Sequence, residues 1–292
     1  ELRTCRMAVL LAALSACVFG VSDFLGGMSA KRIAATLTSV LAELSGLAGM
    51  LVVAVLVGGR TVGRDWAWGG AAGLAGGLAI VLFYWAMSRG QMSVVAPVTA
   101  VLSALVPLVG GLLLGERPSA LALGGAVLAV VAIVLVSREP SDPQDPDEAP
   151  VESDPRVRRL ILVAAAVSGL GFGLYFVGIS RVCEDSGMWP IAAARVSAAA
   201  VVGLMMLWAR PGRGERIGVR LALVAGLLDV TANALFLLAS REGLLTLVGV
   251  IGAMYPASTL VLARAVLKER LAGHQVAGLG LAVGAVLASA AG

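Results

Sequence analysis

Long apolar runs, each closed by a short charged or Gly/Pro-rich break, follow one another along the whole chain. A run of about 20 such residues is long enough to cross the hydrocarbon core of a bilayer as a helix. The pattern predicts ten crossings, five at about 7–27, 34–58, 66–87, 93–114 and 119–137, and five at about 159–180, 189–209, 217–239, 244–267 and 272–291. The breaks include Lys31-Arg32, Gly58-Gly59-Arg60, Ser88-Arg89-Gly90, Gly115-Glu116-Arg117-Pro118, Arg210-Pro211-Gly212-Arg213 and Lys268-Glu269-Arg270. Ser137 to Pro155 is rich in Asp, Glu and Pro and has too little apolar surface to fold, which predicts a disordered linker. The chain thus divides into a first five-helix repeat at 1–137, an acidic Pro-rich linker at 138–157 and a second five-helix repeat at 158–292.

The two halves repeat each other. Ala12, Ala13, Ser15, Phe19 and Gly20 return 153 positions later as Ala165, Ala166, Ser168, Phe172 and Gly173. Leu114, Glu116, Arg117, Gly125, Leu128, Ala129 and Val130 return at the same offset as Leu267, Glu269, Arg270, Gly278, Leu281, Ala282 and Val283. An odd number of crossings per copy inverts the second copy relative to the first. Inverted repeats about a midplane site are the build of secondary transporters. The predicted fold class is an all-α integral membrane protein with ten transmembrane helices in two inverted five-helix repeats.

Composition agrees with a bilayer as solvent: 59% of residues are hydrophobic and 14% charged. The 37 glycines are spread through the apolar runs, where small residues let helices approach closely. The three cysteines, Cys5, Cys17 and Cys183, are widely spaced and His274 is the only histidine, so neither a disulfide framework nor a metal or cofactor site is expected. Leu14-Ser15-Ala16-Cys17 spells a lipoprotein cleavage box, but its apolar stretch runs on and its repeat partner is internal, which favours a first transmembrane helix. The net charge of +4 comes mainly from arginines near membrane ends and points to topology rather than to nucleic acid. Seven Lys and Arg fall on the N-terminal side of the membrane and thirteen on the other, so charge alone puts both ends outside.

The segment Ala96 to Leu114 running into Gly115-Glu116-Arg117-Pro118-Ser119 points to a family. So do Gly252-Ala253-Met254-Tyr255-Pro256-Ala257 leading into Lys268-Glu269-Arg270-Leu271, and Trp189-Pro190-Ile191-Ala192-Ala193-Ala194-Arg195 at the seventh span. Together with the duplication, these segments resemble the EamA-type transporters of the drug/metabolite transporter superfamily over essentially the whole chain. The resemblance implies a ten-helix bundle with a central cavity that moves small organic solutes such as amino acids, metabolites or toxic compounds, outward in many members. It also implies a multi-pass protein of the plasma (inner) membrane with cytoplasmic termini, against the charge count. One departure is that Arg195 has Ala42 as its partner at the 153 offset, with Glu43 beside that slot.

Charged side chains inside a bilayer are costly and mark functional sites or structural pairs. Asp229 and Asn233, four residues apart on one face of the eighth span, are a substrate or proton site or else an interhelical clamp. Arg195 has the planar fork to hold a carboxylate; with Asp229 it would bracket a zwitterion, or it pairs with Glu43 or Asp23. Glu43, Asp229 and Asp23 are the proton-coupling candidates, with a static Glu43–Arg195 ion pair as the alternative. Tyr84, Trp85, Tyr175 and Tyr255 complete the candidate substrate site, since aromatic faces suit cationic solutes. Pro97, Pro107 and Pro256 are expected to interrupt spans four and nine and to act as hinges.

The function these residues favour is secondary transport, by alternating access, of a small organic solute such as an amino acid or cationic metabolite, with export expected and protons as a coupling ion. An uncoupled facilitator is the alternative. The expected partners are the bilayer, the solute and protons, with a monomer or homodimer as the assembly. An intramembrane lipid-modifying enzyme lacks support, since the chain has no His-Glu-x-x-His or Gly-x-Ser-x-Gly motif. A non-transporting scaffold would want a larger soluble domain.

Overall fold

The structure is a computed structural model, and it describes residues 2–30, 32–60, 62–89, 92–136, 155–209, 212, 214–262 and 272–291. Most of the predicted linker and the Lys268-Glu269-Arg270 break lie outside the described residues. The first half holds helices α1 (Leu2–Ala30), α2 (Ala35–Val57), α3 (Gly63–Arg89), α4 (Met92–Leu113) and α5 (Ala120–Val136). The second half holds α6 (Pro155–Ser180), α7 (Trp189–Ala209), α8 (Arg216–Glu242), α9 (Leu245–Gly252), α10 (Tyr255–Leu262) and α11 (Gly273–Ala291). A short 3-10 turn, Glu184–Ser186, joins α6 to α7.

Six of these helices, α1 to α3 and α6 to α8, are long and apolar enough to cross a membrane, and α4, α5, α9–α10 and α11 are shorter apolar stretches. Cys17 lies within α1, as a transmembrane reading of that segment requires. The predicted ninth span is in two pieces. Ala253 and Met254 interrupt it just ahead of Pro256, which sits at the second residue of α10, where a missing N–H breaks no helical hydrogen bond. The expected interruption of the fourth span is corrected: α4 continues through both Pro97 and Pro107. Pro107 is buried against Gly249 of α9, and that packing holds the helix together across the lost bond.

The outer surface is large and apolar, with Leu56 80%, Leu113 82% and Trp208 94% exposed. The interior is rich in alanine: Ala12, Ala54, Ala104, Ala129 and Ala239 are fully buried. Lipid tails are as apolar as leucine, so large side chains gain nothing by turning inward, while small ones let backbones touch. Gly73 of α3 lies against the backbone of Ala194 in α7, and Gly226 of α8 lies against the backbone of Ala42 in α2. On α1, Ser15, Ser22 and Ser29 donate to the carbonyls of Ala232, Ala225 and Gly218 on α8 at 2.8, 2.8 and 2.9 Å. The donors rise and the acceptors fall by the same heptad step, so α1 and α8 run antiparallel with a repeating contact face.

Packing repeats between the halves. α1 lies against α8 and the α9–α10 pair, and α6 lies against α3 and α4. α2 crosses α8, α7 crosses α3, and α5 packs on α11. The Ser15–Ala232 bond has its counterpart in Ser168 donating to the Ala79 carbonyl at 2.8 Å, with both residues of the pair related by the 153-residue offset.

The close approach of α3 and α7 leaves no room for a methyl group at Gly73, whereas nothing lies within 4 Å of one at Gly203. Gly73→Ala is expected to lower the thermal midpoint of the detergent-solubilised protein, by a cost of about 1–3 kcal/mol from overpacking. Gly203→Ala should leave it unchanged or raised, because alanine is the better helix former. Equal midpoints for the two variants would contradict this packing.

Candidate functional site

The charged residues that the sequence places in separate spans converge halfway through the bundle. Asp229 is thirteen residues from either end of α8. Its neighbours are Arg195 from α7, Glu43 from α2 and Asp23 from α1, all lining one cavity of about 970 Å3, open solvent at its mouth included. Arg195 Nη1 donates to Glu43 Oε2 at 3.0 Å and Nη2 donates to Asp229 Oδ2. Asn233, one turn along α8, donates from Nδ2 to the Asp229 carbonyl at 2.8 Å and to Asp229 Oδ2 at 3.2 Å. The clamp and the ion pair anticipated from the sequence thus form one network.

Burial within that network is uneven. The side chains of Arg195 and Glu43 are 8% and 11% exposed, while that of Asp229 is 27% exposed. Asp229 therefore offers its carboxylate to the cavity, and Glu43 is spent on the guanidinium. Among the described residues, Arg195 Nε and the Tyr175 hydroxyl are buried without a hydrogen-bond partner. Each is a donor held ready at the cavity wall, where a ligand or a water gains a bond without displacing an existing one.

The helix register at this point differs from the one the repeat suggests. A methyl group added at Gly77 of α3 meets Val201 of α7 at 3.2 Å, and one added at Gly49 of α2 meets Val230 of α8 at 3.6 Å. Gly77 and Val230 are related by the 153 offset, but Gly49 and Val201 are 152 apart, as are the ends of α2 and α7, Val57 and Ala209. Glu43 and Arg195 are also 152 apart. The partner of Arg195 in the packed repeat is therefore Glu43 rather than Ala42, and the two charges meet across the pseudo-twofold between the halves.

Aromatic rings wall the cavity. Phe19 meets Phe176 edge-on at 6.0 Å and Tyr255 at 6.5 Å, Tyr175 meets Phe176 at 5.8 Å, and Phe83 meets Phe172 at 6.1 Å. Phe236 stacks behind Phe176 at 4.4 Å and is fully buried, so it supports the wall without lining it. Tyr175 and Tyr255 fall where the candidate site needs them. Trp85 does not: it lines a separate groove. The side chains of Tyr84 and Pro97 lie outside the described residues. Ser22, Ser39, Phe83 and Phe176 also line the cavity. Spacing alone had not marked them, because serines and phenylalanines are ordinary packing residues in apolar helices.

At the end of the bundle where α2 stops and α3 starts, the halves are stitched together. Asp65 accepts from the Ser186 hydroxyl and, at 3.2 Å, from the Cys183 N–H. Arg60 N–H donates to the Asp185 carbonyl at 2.7 Å, and Arg241 reaches the carbonyls of Cys183 and Gly187 at 3.2 and 2.8 Å. Gly59 and Gly187, both at positive φ, lie against each other there, an approach and a conformation that glycine alone permits readily. Glu116 accepts from the N–H groups of Leu245 and Thr246, each at 2.8 Å, and so caps α9 from the other repeat. That gives the Gly-Glu-Arg segment a structural role.

A solved structure, described only as the crystal structure of a protein, superposes with a TM-score of 0.75 at 18% sequence identity, covering 97% of each chain, which is a likeness of fold. No curated protein matches the chain. The model of the EamA-like transporter family matches it twice, over residues 6–138 and 159–290, once for each repeat. The chain, a multi-pass membrane protein, belongs to the EamA-like transporter family.

Proposed function

We propose that the protein is a secondary transporter that carries a small organic solute with a cationic nitrogen, its ten spans forming two inverted repeats that alternate in exposing the central cavity. The observation that carries this reading is the charge balance of that cavity. Three carboxylates, Asp23, Glu43 and Asp229, share it with one guanidinium, Arg195, inside aromatic walls. A cationic solute finds a carboxylate for its nitrogen and ring faces for its body. The family supports transport, and the duplicated contacts support a rocking exchange between two equivalent halves.

Arg195 is the resident counter-charge. The solute's ammonium displaces it from Asp229, the more exposed carboxylate, while Glu43 keeps the guanidinium paired. When the solute leaves, Asp229 takes back the guanidinium or takes a proton, and Asp23 is the second carboxylate open to the same exchange. That competition couples solute to protons, with export as the direction the family resemblance implies. An amino acid fits less well. Its carboxylate needs Arg195, whose two terminal nitrogens each already donate to a resident carboxylate.

In proteoliposomes carrying a pH gradient, aromatic amines are expected to show saturable flux, and Asp229→Asn to lower it at least about tenfold, equivalent to ~1.4 kcal/mol of lost binding. Gradient-driven accumulation should also fall in Glu43→Gln, which frees Arg195 to occupy Asp229 permanently. Flux that ignores the gradient would make the protein an uncoupled facilitator. Saturable flux of neutral and cationic solutes alike, unchanged in Asp229→Asn, would overturn the assignment of the site.

Arg195→Gln leaves two carboxylates without their cation and should destabilise the detergent-solubilised protein by about 3–5 kcal/mol, the usual cost of breaking a buried pair from one side. Glu43→Gln added to Arg195→Gln removes one of the stranded charges and should recover part of that loss. Thermal melts of the two single variants and the double variant give the coupling energy directly. Strict additivity would mean that the pair contributes nothing across the repeat axis.

A further inference from the structure

A second concavity, about 1280 Å3 with open solvent included, lies between α2, α3 and α7. Val81 and Leu204 form its apolar walls together with the Trp208 ring, and Trp85 and Arg89 stand at its end. Ser39 lines both this groove and the central cavity. The stretch of α7 beside it is turned outward, with Leu204 70%, Leu207 74% and Trp208 94% exposed. In a membrane protein, such a face is covered by lipid.

The groove is not uniformly apolar. The Arg89 guanidinium carbon sits 4.8 Å from the centroid of the Trp85 ring, a stacking that fixes its direction while leaving its edge free for hydrogen bonds. Arg89 is the last residue of α3, Ala209 is the last of α7 and Ala35 is the first of α2, so the groove ends where three helices end together. That is the depth at which Trp and Arg meet lipid headgroups. Among the described residues, no carboxylate lies within ion-pair distance of Arg89. An exposed cation at the headgroup level above an apolar slot has the two-part chemistry of an anionic amphiphile's receptor.

We propose that this groove is a binding site for one anionic phospholipid, its phosphate held by the Arg89 guanidinium and an acyl chain lying along Val81, Leu204 and Trp208. The lipid fills the gap between α2, α3 and α7 at the end of the bundle marked by Ala35, Arg89 and Ala209. Because Ser39 is shared, the bound lipid also forms part of the boundary between the bilayer and the central cavity. The site is separate from the charged network, and its occupancy does not depend on what the central cavity carries.

The test uses the full-length protein purified in a neutral detergent. Phosphatidylglycerol is expected to raise the thermal midpoint by several degrees, phosphatidylcholine to do so much less, and soluble glycerol phosphate not at all; binding to the folded state alone gives such a shift. Native mass spectrometry should retain one phosphatidylglycerol per chain. Arg89→Gln with Trp208→Ala should remove at least two-thirds of the shift and the retained lipid, with the lipid-free midpoint unchanged. Trp208→Ala alone, at an outward-facing position, serves if the double variant folds poorly, and should weaken retention severalfold. The proposal is overturned by an undiminished phosphatidylglycerol shift in these variants, by equal shifts with the two lipids, or by an equal shift with glycerol phosphate.

Discussion

Helices in a bilayer have no water to escape from, so whatever holds them together must come from contact and hydrogen bonding. Here that constraint sorts the residues by size. Alanine and serine are prominent inside, alongside packed residues such as Phe236, Met50 and Val248, while Leu56, Leu113 and Trp208 face out. Gly73 and Gly226 bring α3 to α7 and α8 to α2 at backbone contact, and the three serines of α1 pin it to α8. A core made of small side chains packs densely wherever helices touch. It leaves open space only where they part, and the large aromatic and charged groups gather there.

The charges in that space follow from the duplication. Residues at equivalent positions near a pseudo-twofold face each other. Two glutamates there would repel, as would two arginines, and either pair would stand uncompensated in a low dielectric. Glu43 in one copy and Arg195 in the other form a neutral pair at 3.0 Å. Asp229 then breaks the balance, since its equivalent in the first copy is Gly76, and Asp23 breaks it again opposite Phe176. The scaffold is symmetric and the site is not.

Much of this was legible in the one-dimensional pattern. The apolar runs match α1 to α8 closely, and the repeat correctly pairs Ser15 with Ser168. Intramembrane cost singled out Asp23, Glu43, Arg195 and Asp229, and all four reach the cavity. Other features escaped because their cause is not local. The ninth span breaks at Ala253–Met254 while α4 runs on through two prolines, since a helix tolerates proline where a neighbour supports it. Trp85 stacks on Arg89 and lines the second groove rather than the cavity, and hydropathy alone does not say which side of α3 the cavity takes. The serine heptad on α1 was a readable signal, at positions 15, 22 and 29, and it marks a helix–helix seam.

The sequence by itself determined the membrane as solvent, the number of apolar runs, the duplication and the residues too costly to be incidental. Each follows from hydropathy or identity along one dimension. Only the tertiary structure decided which of those residues are partners. The second helix of each repeat is offset by 152 rather than 153 residues, and that single-residue slip, invisible to alignment of the repeat ends, sets Glu43 opposite Arg195. One residue turns a helix by about 100°, and so decides whether a charge meets its counter-charge or faces lipid.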